Sequence, residues 1–69
     1  MEILAARMKE LRNEKRIWQD EMAEILGVSV SAYRNYETNK REPTAPFIVA
    51  FADYFGVSAD YLLGRRDER

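Results

Sequence analysis

The side chains of this sequence that could do chemistry are few, and two residue types are missing altogether, since Cys and His do not occur. Their absence removes disulfides, thiolate nucleophiles, zinc sites built on Cys and His, and imidazole acid/base catalysis together. Asp20 and Glu24, four residues apart, share a helix face and imitate a paired-carboxylate site. No base, nucleophile or phosphate-binding loop accompanies them, so a solvated polar face is the better account and an enzyme is not expected. No metal, cofactor or small-molecule ligand is implied. What remains is hydrogen-bonding chemistry in one short stretch, Val30 to Glu37. On a helix advancing about 100° per residue from Val30, Arg34 lies at about 40°, Ser31 at about 100° and Asn35 at about 140°. Tyr33, Tyr36 and Glu37 fall on the other side. Such a helix packs by one face and presents donors and acceptors on the other.

The elements that must position this stretch follow from a 3.6-residue period. Leu4, Met8 and Leu11 recur at i, i+4, i+7 among charged neighbours, which predicts an amphipathic helix over roughly residues 2–14. Met22, Ala23 and Leu26 repeat the pattern, with Asp20, Glu21 and Glu24 outward and well placed near a helix start. Gly27 ends that helix in the left-handed conformation, and Ser29 caps the next, from about Val30 to Glu37. Thr38 to Pro43 is polar and aperiodic, hence a loop. Thr44 caps a fourth helix with Pro46 in its first turn and Ile48, Phe51, Ala52 and Phe55 as its apolar stripe. Gly56 stops it. Ser58 caps a short fifth helix carrying Tyr61, Leu62 and Leu63, closed by Gly64. The expected fold is all-α, with five short helices over residues 1–64 and a charged tail at 65–69.

Sixty-nine residues suffice for one domain. Eleven Lys and Arg against twelve Asp and Glu leave a net charge of −1, which by itself argues against a generic polyanion binder. The total hides a pattern: residues 1–18 carry five basic and three acidic side chains, whereas residues 19–27 carry only Asp20, Glu21 and Glu24. The longest apolar run, Phe47 to Ala52, is far short of the ~20 residues a bilayer span requires. A cytoplasmic protein with no membrane association is expected.

The stretch Gln19 to Glu37 carries the functional reading. Ala23 and Gly27 permit two helices to cross closely through a three- to four-residue turn, a helix-turn-helix arrangement that also occurs in helical hairpins with no DNA-binding role. Further residues decide. Gln19-xxx-Ala23-xx-Leu26-Gly27-Val28-Ser29, Tyr36-Glu37-xx-Lys40-Arg41-Glu42-Pro43 and Phe51-Ala52-Asp53-Tyr54-Phe55-Gly56-Val57-Ser58-xx-Tyr61-Leu62-Leu63-Gly64 agree in order and spacing with one family. Over roughly residues 4–64 the chain resembles the phage lambda-repressor and Cro family of helix-turn-helix regulators.

The resemblance implies a five-helix domain whose third helix enters the major groove of double-stranded DNA, and a homodimer reading an inverted repeat. It implies a transcriptional regulator, most often a repressor. At the family's base-contact positions, Asn35 can pair with adenine, Ser31 serves either base type and Val30 can touch a thymine methyl. Arg34 can read guanine or bind phosphate. Gln19 matches a glutamine that bonds a backbone phosphate, and Asn39, Lys40 and Arg41 flank the same groove. Arg12 and Glu37 match a partly buried ion pair that links the first helix to the reading helix. With that pair neutralised and the acidic groups facing away, Gln19, Arg34, Asn39, Lys40 and Arg41 leave a positive surface. The alternative is a protein-interaction adaptor or antitoxin-like module of the same fold, which an acidic reading face would favour.

Two positions depart from the family pattern. Trp18 stands where a Ser or Thr cap is usual and has no acceptor with which to cap; it is expected to cover the end of the core or a partner surface. Tyr33 replaces an Ile or Val, so its hydroxyl is expected to reach solvent or a partner. The fourth helix also carries more apolar surface than one core can cover, and Phe47, Ala50, Tyr54 and Tyr61 are candidate dimer contacts.

Overall fold

The computed structural model describes residues 1–69. Its helices are α1 (Glu2–Glu14), α2 (Gln19–Leu26), α3 (Val30–Glu37), α4 (Ala45–Phe55) and α5 (Ala59–Leu62), and there is no strand. Hydroxyl caps start three of them. Ser29 Oγ accepts from the Ala32 N–H at 3.0 Å, Thr44 Oγ1 from Phe47 at 3.3 Å and Ser58 Oγ from Tyr61 at 3.0 Å. Each bond satisfies one of the N–H groups a helix start leaves unpaired.

All five helices close in the same way, with a left-handed residue and a return hydrogen bond over five residues. The N–H of Val28 reaches Ala23 O, Lys40 reaches Asn35 O, Val57 reaches Ala52 O and Arg65 reaches Asp60 O. Gly27, Gly56, Gly64 and Asn39 supply the positive φ in those four cases. The fifth stop, after α1, places Arg16 at φ 56°, where an L-residue's Cβ crowds the carbonyl oxygen. The Ile17 N–H bonds Arg12 O across it.

Leu4, Met8, Leu11, Met22, Ala23, Phe51 and Leu62 form the centre of one core. An aromatic file continues it between α3 and α4: Tyr36 meets the Phe47 ring edge-on at 4.9 Å, and Phe47 leads to Phe51 at 6.2 Å and Phe55 at 4.7 Å. Phe47 is therefore a core residue that locks α4 under the third helix. Tyr61 is also buried, with the Arg7 guanidinium 4.2 Å from its ring centre. This corrects two of the four dimer candidates, because rings held inside the fold offer little surface to a second chain. Ala50 and Tyr54 are exposed, as is their neighbour Val49.

Residues 65–69 do not project. Arg7 donates to the carbonyls of Tyr61 and Arg66, and Arg69 pairs with Glu10 and Glu14 of α1. No helix is long and apolar enough to cross a membrane.

Candidate nucleic-acid interface

The short turn Gly27–Ser29 sets α3 across α2, and α3 divides its residues sharply. Tyr33, Tyr36 and Glu37 are buried, Ser31 and Arg34 are exposed, and Val30, Ala32 and Asn35 are half-buried at the border. Tyr33 and Tyr36 anchor the helix on the core, which leaves Ser31 and Asn35 side by side on the outer face with Val30 at its start. Ser31 supplies a hydroxyl, and Asn35 a carbonyl oxygen and two N–H donors. This is the arrangement that can match the donors and acceptors on base edges.

Just beyond α3 the backbone is fastened before it leaves. The N–H groups of Lys40 and Arg41 both donate to Asn35 O, at 2.9 and 3.2 Å. Lys40 and Arg41 side chains are exposed and form no ion pair, so two free cations stand at the end of the outer face. Asn39 tolerates its left-handed backbone as few other residues do, and its Oδ1 accepts from the Met1 ammonium at 2.8 Å, with Glu42 pairing to the same group. Its amide nitrogen is left for another partner.

Behind the outer face lies a buried polar relay. Arg12 of α1 grips Glu37 with two parallel bonds, Nε to Oε2 at 2.6 Å and Nη2 to Oε1 at 3.0 Å, while its Nη1 donates to Ile17 O at 2.7 Å. Arg12 is 7% and Glu37 8% exposed, so the charges are largely removed from water. Burial pushes the Glu37 carboxyl up, but its polar neighbours, the hydrogen bond from Arg12 foremost, outweigh it and hold the group below its ordinary range. The bond to Glu37 in turn raises the Arg12 guanidinium above its usual value. Gln19 joins the pair through Nε2, which donates to Glu37 Oε1 at 3.1 Å, and its Oε1 accepts from Arg34 Nε at 3.2 Å. One chain of bonds thus runs from α1 through α3 and α2 to the edge of the outer face.

Tyr33 corrects one expectation set by the sequence, and Trp18 one half of another. The Tyr33 hydroxyl reaches neither solvent nor a partner: the residue is 0% exposed, and the oxygen has no hydrogen-bond partner beside the Arg12–Glu37 pair. Burial in that place drives its pKa well above the usual tyrosine value. Trp18 does not cover the core, because it is 75% exposed at the start of α2, and of its two expected roles a partner surface is the one that remains. With no acceptor of its own, it leaves α2 with half of a capping box, in which Glu21 Oε1 accepts from the Trp18 N–H at 2.9 Å. Trp18 and Asn13 line an open groove together with Arg12, Gln19, Asp20 and Arg34. The missing cap was the only sign of that groove in the sequence, and nothing pointed to Asn13.

Comparison with known proteins agrees with this geometry. The helix-turn-helix family pattern matches residues 8–62. YobD of Bacillus subtilis (strain 168), an uncharacterised HTH-type transcriptional regulator, is 32% identical over 62 residues, covering 90% of this chain and 55% of its own length. YazB, another such regulator of the same strain, is 38% identical over 61 residues and 88% of either chain. The chain spans about half the length of most of the curated relatives it matches. Among solved structures, the P22 c2 repressor protein in complex with synthetic operator 9T superposes with a TM-score of 0.79 at 27% identity, covering 86% of this chain and 89% of that one. With five helices, the tight α2–α3 turn and the matched residues 8–62, the chain belongs to the helix-turn-helix family of the lambda-repressor and Cro type.

Proposed function

We propose that this chain is a sequence-specific DNA-binding transcriptional regulator, that it binds an inverted-repeat operator as a homodimer, and that it acts in the cytoplasm as a repressor. The observation that carries the reading is the outer face of α3, where exposed Ser31 and half-buried Asn35 lie side by side and the unpaired Lys40 and Arg41 follow at its end. Asn35 pairs with adenine N6 and N7, Ser31 bonds a neighbouring base, and Val30 lies against a thymine methyl. Lys40, Arg41 and Asn39 hold phosphates and fix the register. The likeness to a repressor on its operator supports the same placement of α3.

The homodimer uses the outer side of α4, where Val49, Ala50 and Tyr54 remain uncovered. Two such faces related by a two-fold axis set two α3 helices into successive major grooves about 34 Å apart. With a net charge of −1, bulk attraction to DNA is weak, and discrimination depends on base contacts and dimer geometry.

Selection from random DNA followed by affinity measurement across salt tests the reading. A two-fold-symmetric site is expected. Asn35→Ala should relax preference at one base position in each half-site, and Lys40→Ala should weaken all sequences equally while lowering the log–log salt slope by about 0.9. No enriched sequence, or sedimentation as a monomer at high micromolar concentration, counts against the regulator and the dimer respectively.

A further inference from the structure

The relay behind α3 has a fixed direction. Glu37 as a carboxylate only accepts hydrogen bonds, and the guanidinium of Arg34 only donates them. Gln19 lies between the two, so its amide can satisfy both in one orientation alone, with Nε2 toward Glu37 and Oε1 toward Arg34. Arg12 locks the Glu37 end from α1. The orientation at Arg34 is therefore set by residues that lie in the interior.

Arg34 answers to that anchor. Its Nε is held by Gln19, which leaves both Nη groups unpaired, and it forms no ion pair with any carboxylate. The side chain consequently lies toward α2, where it lines the groove with Arg12, Asn13, Trp18, Gln19 and Asp20. Around the axis of α3 it sits between buried Glu37 and the outer Asn35, at the edge of the face that carries Ser31. The one carboxylate on the groove, Asp20, accepts from the Glu21 N–H at 3.0 Å and is not paired with Arg34.

We infer that Gln19 is a positioning residue which, oriented by Glu37, holds the Arg34 guanidinium against α2, so that Arg34 clamps a backbone phosphate of the DNA instead of reading a base. The inference rests on the DNA-binding reading above and adds to it a division of labour, with Ser31 and Asn35 as readers and Arg34 as a clamp. A planar guanidinium with its Nη edge free suits the bidentate geometry of a phosphate.

Salt dependence separates the possibilities, because Gln19 is neutral. Losing a neutral contact to phosphate leaves counterion release unchanged, whereas displacing a cation reduces it. The full chain would be titrated against its selected operator and against every single-base variant of it, from 50 to 200 mM salt. Arg34→Met should weaken all these sites by the same factor and lower the log–log slope by about 0.9, so that the wild type's advantage shrinks about 3.5-fold across that range. Gln19→Met should lower the slope nearly as far, and the double variant no further than Arg34→Met alone. Relaxed preference at one base pair in Arg34→Met would overturn the clamp, and an unchanged slope in Gln19→Met would overturn the positioning role. A wild type that enriches no sequence and shows no salt-dependent affinity would remove the DNA-binding reading itself, an outcome distinct from either.

Discussion

Replacing Glu37 by alanine is the most informative single change in this protein, because the carboxylate has three donors aimed at it. Its removal leaves the Arg12 guanidinium, 7% exposed, with the Ile17 carbonyl as its one remaining acceptor, and strands the Gln19 amide N–H. Breaking a buried pair from one side costs about 3–5 kcal/mol, since the surviving charge stays out of water uncompensated. A chain of 69 residues has a total stability of about 3.5–10 kcal/mol. Glu37→Ala therefore removes about three tenths of that or more. At about 4–8 °C per kcal/mol for a domain of this size, the melting temperature should fall by at least about 12 °C, measured by far-ultraviolet circular dichroism at pH 7. Arg12→Met with Glu37→Leu should recover most of the loss, because the two apolar side chains carry no desolvated charge. A Glu37→Ala melt within about 4 °C of the wild type would refute the reasoning, for the pair would then be solvated and of little weight.

Three further outcomes follow from the same residues and their neighbours. The folded Glu37 pKa lies below its unfolded value of about 4.3, so the stabilisation it gives is complete above that pH and is lost as pH falls through the folded value; Glu37→Ala should be less sensitive to acid than the wild type in melts from pH 7 to pH 2. Arg16→Gly should raise the melting temperature by about 4–8 °C, since it relieves about 1 kcal/mol of left-handed strain at φ 56°, and an unchanged melt would show the turn to be unstrained. Tyr33→Phe deletes a buried hydroxyl without a partner and should stabilise by about 1 kcal/mol in a urea titration, whereas a loss of stability would place that hydroxyl in a bond to Glu37.

Helix boundaries were legible in the sequence because the residues that set them act locally. Ser29, Thr44 and Ser58 cap by reaching three residues on, and Gly27, Gly56 and Gly64 stop helices through their own φ. Arg16 carries no such signal: its left-handed backbone is imposed by the closure of α1 and the Arg12–Ile17 contact, and no side-chain preference announces it. Phe47 and Tyr61 read as spare apolar surface because a wheel drawn for one helix cannot show what a second helix brings to it; Tyr36 and Arg7 supply the cover from elsewhere in the chain. The same limit hid the Gln19 amide between Glu37 and Arg34, a contact among residues up to 18 positions apart. Tyr33 is illegible for a different reason, since a hydroxyl normally finds a partner and here it stays buried without one.

The separation of duties around α3 bears on how such a protein could diverge. Tyr33, Tyr36 and Glu37 fix the helix to the fold, and none of them lies on the face that holds Ser31 and Asn35. Substitutions at exposed Ser31 meet no packing constraint and those at half-buried Asn35 meet only a partial one, so a lineage could try new side chains there with little stability in reserve. Changes on the outer face and changes of scaffold are then nearly independent walks through sequence space, and the short third helix works as an exchangeable cartridge on a fixed mount.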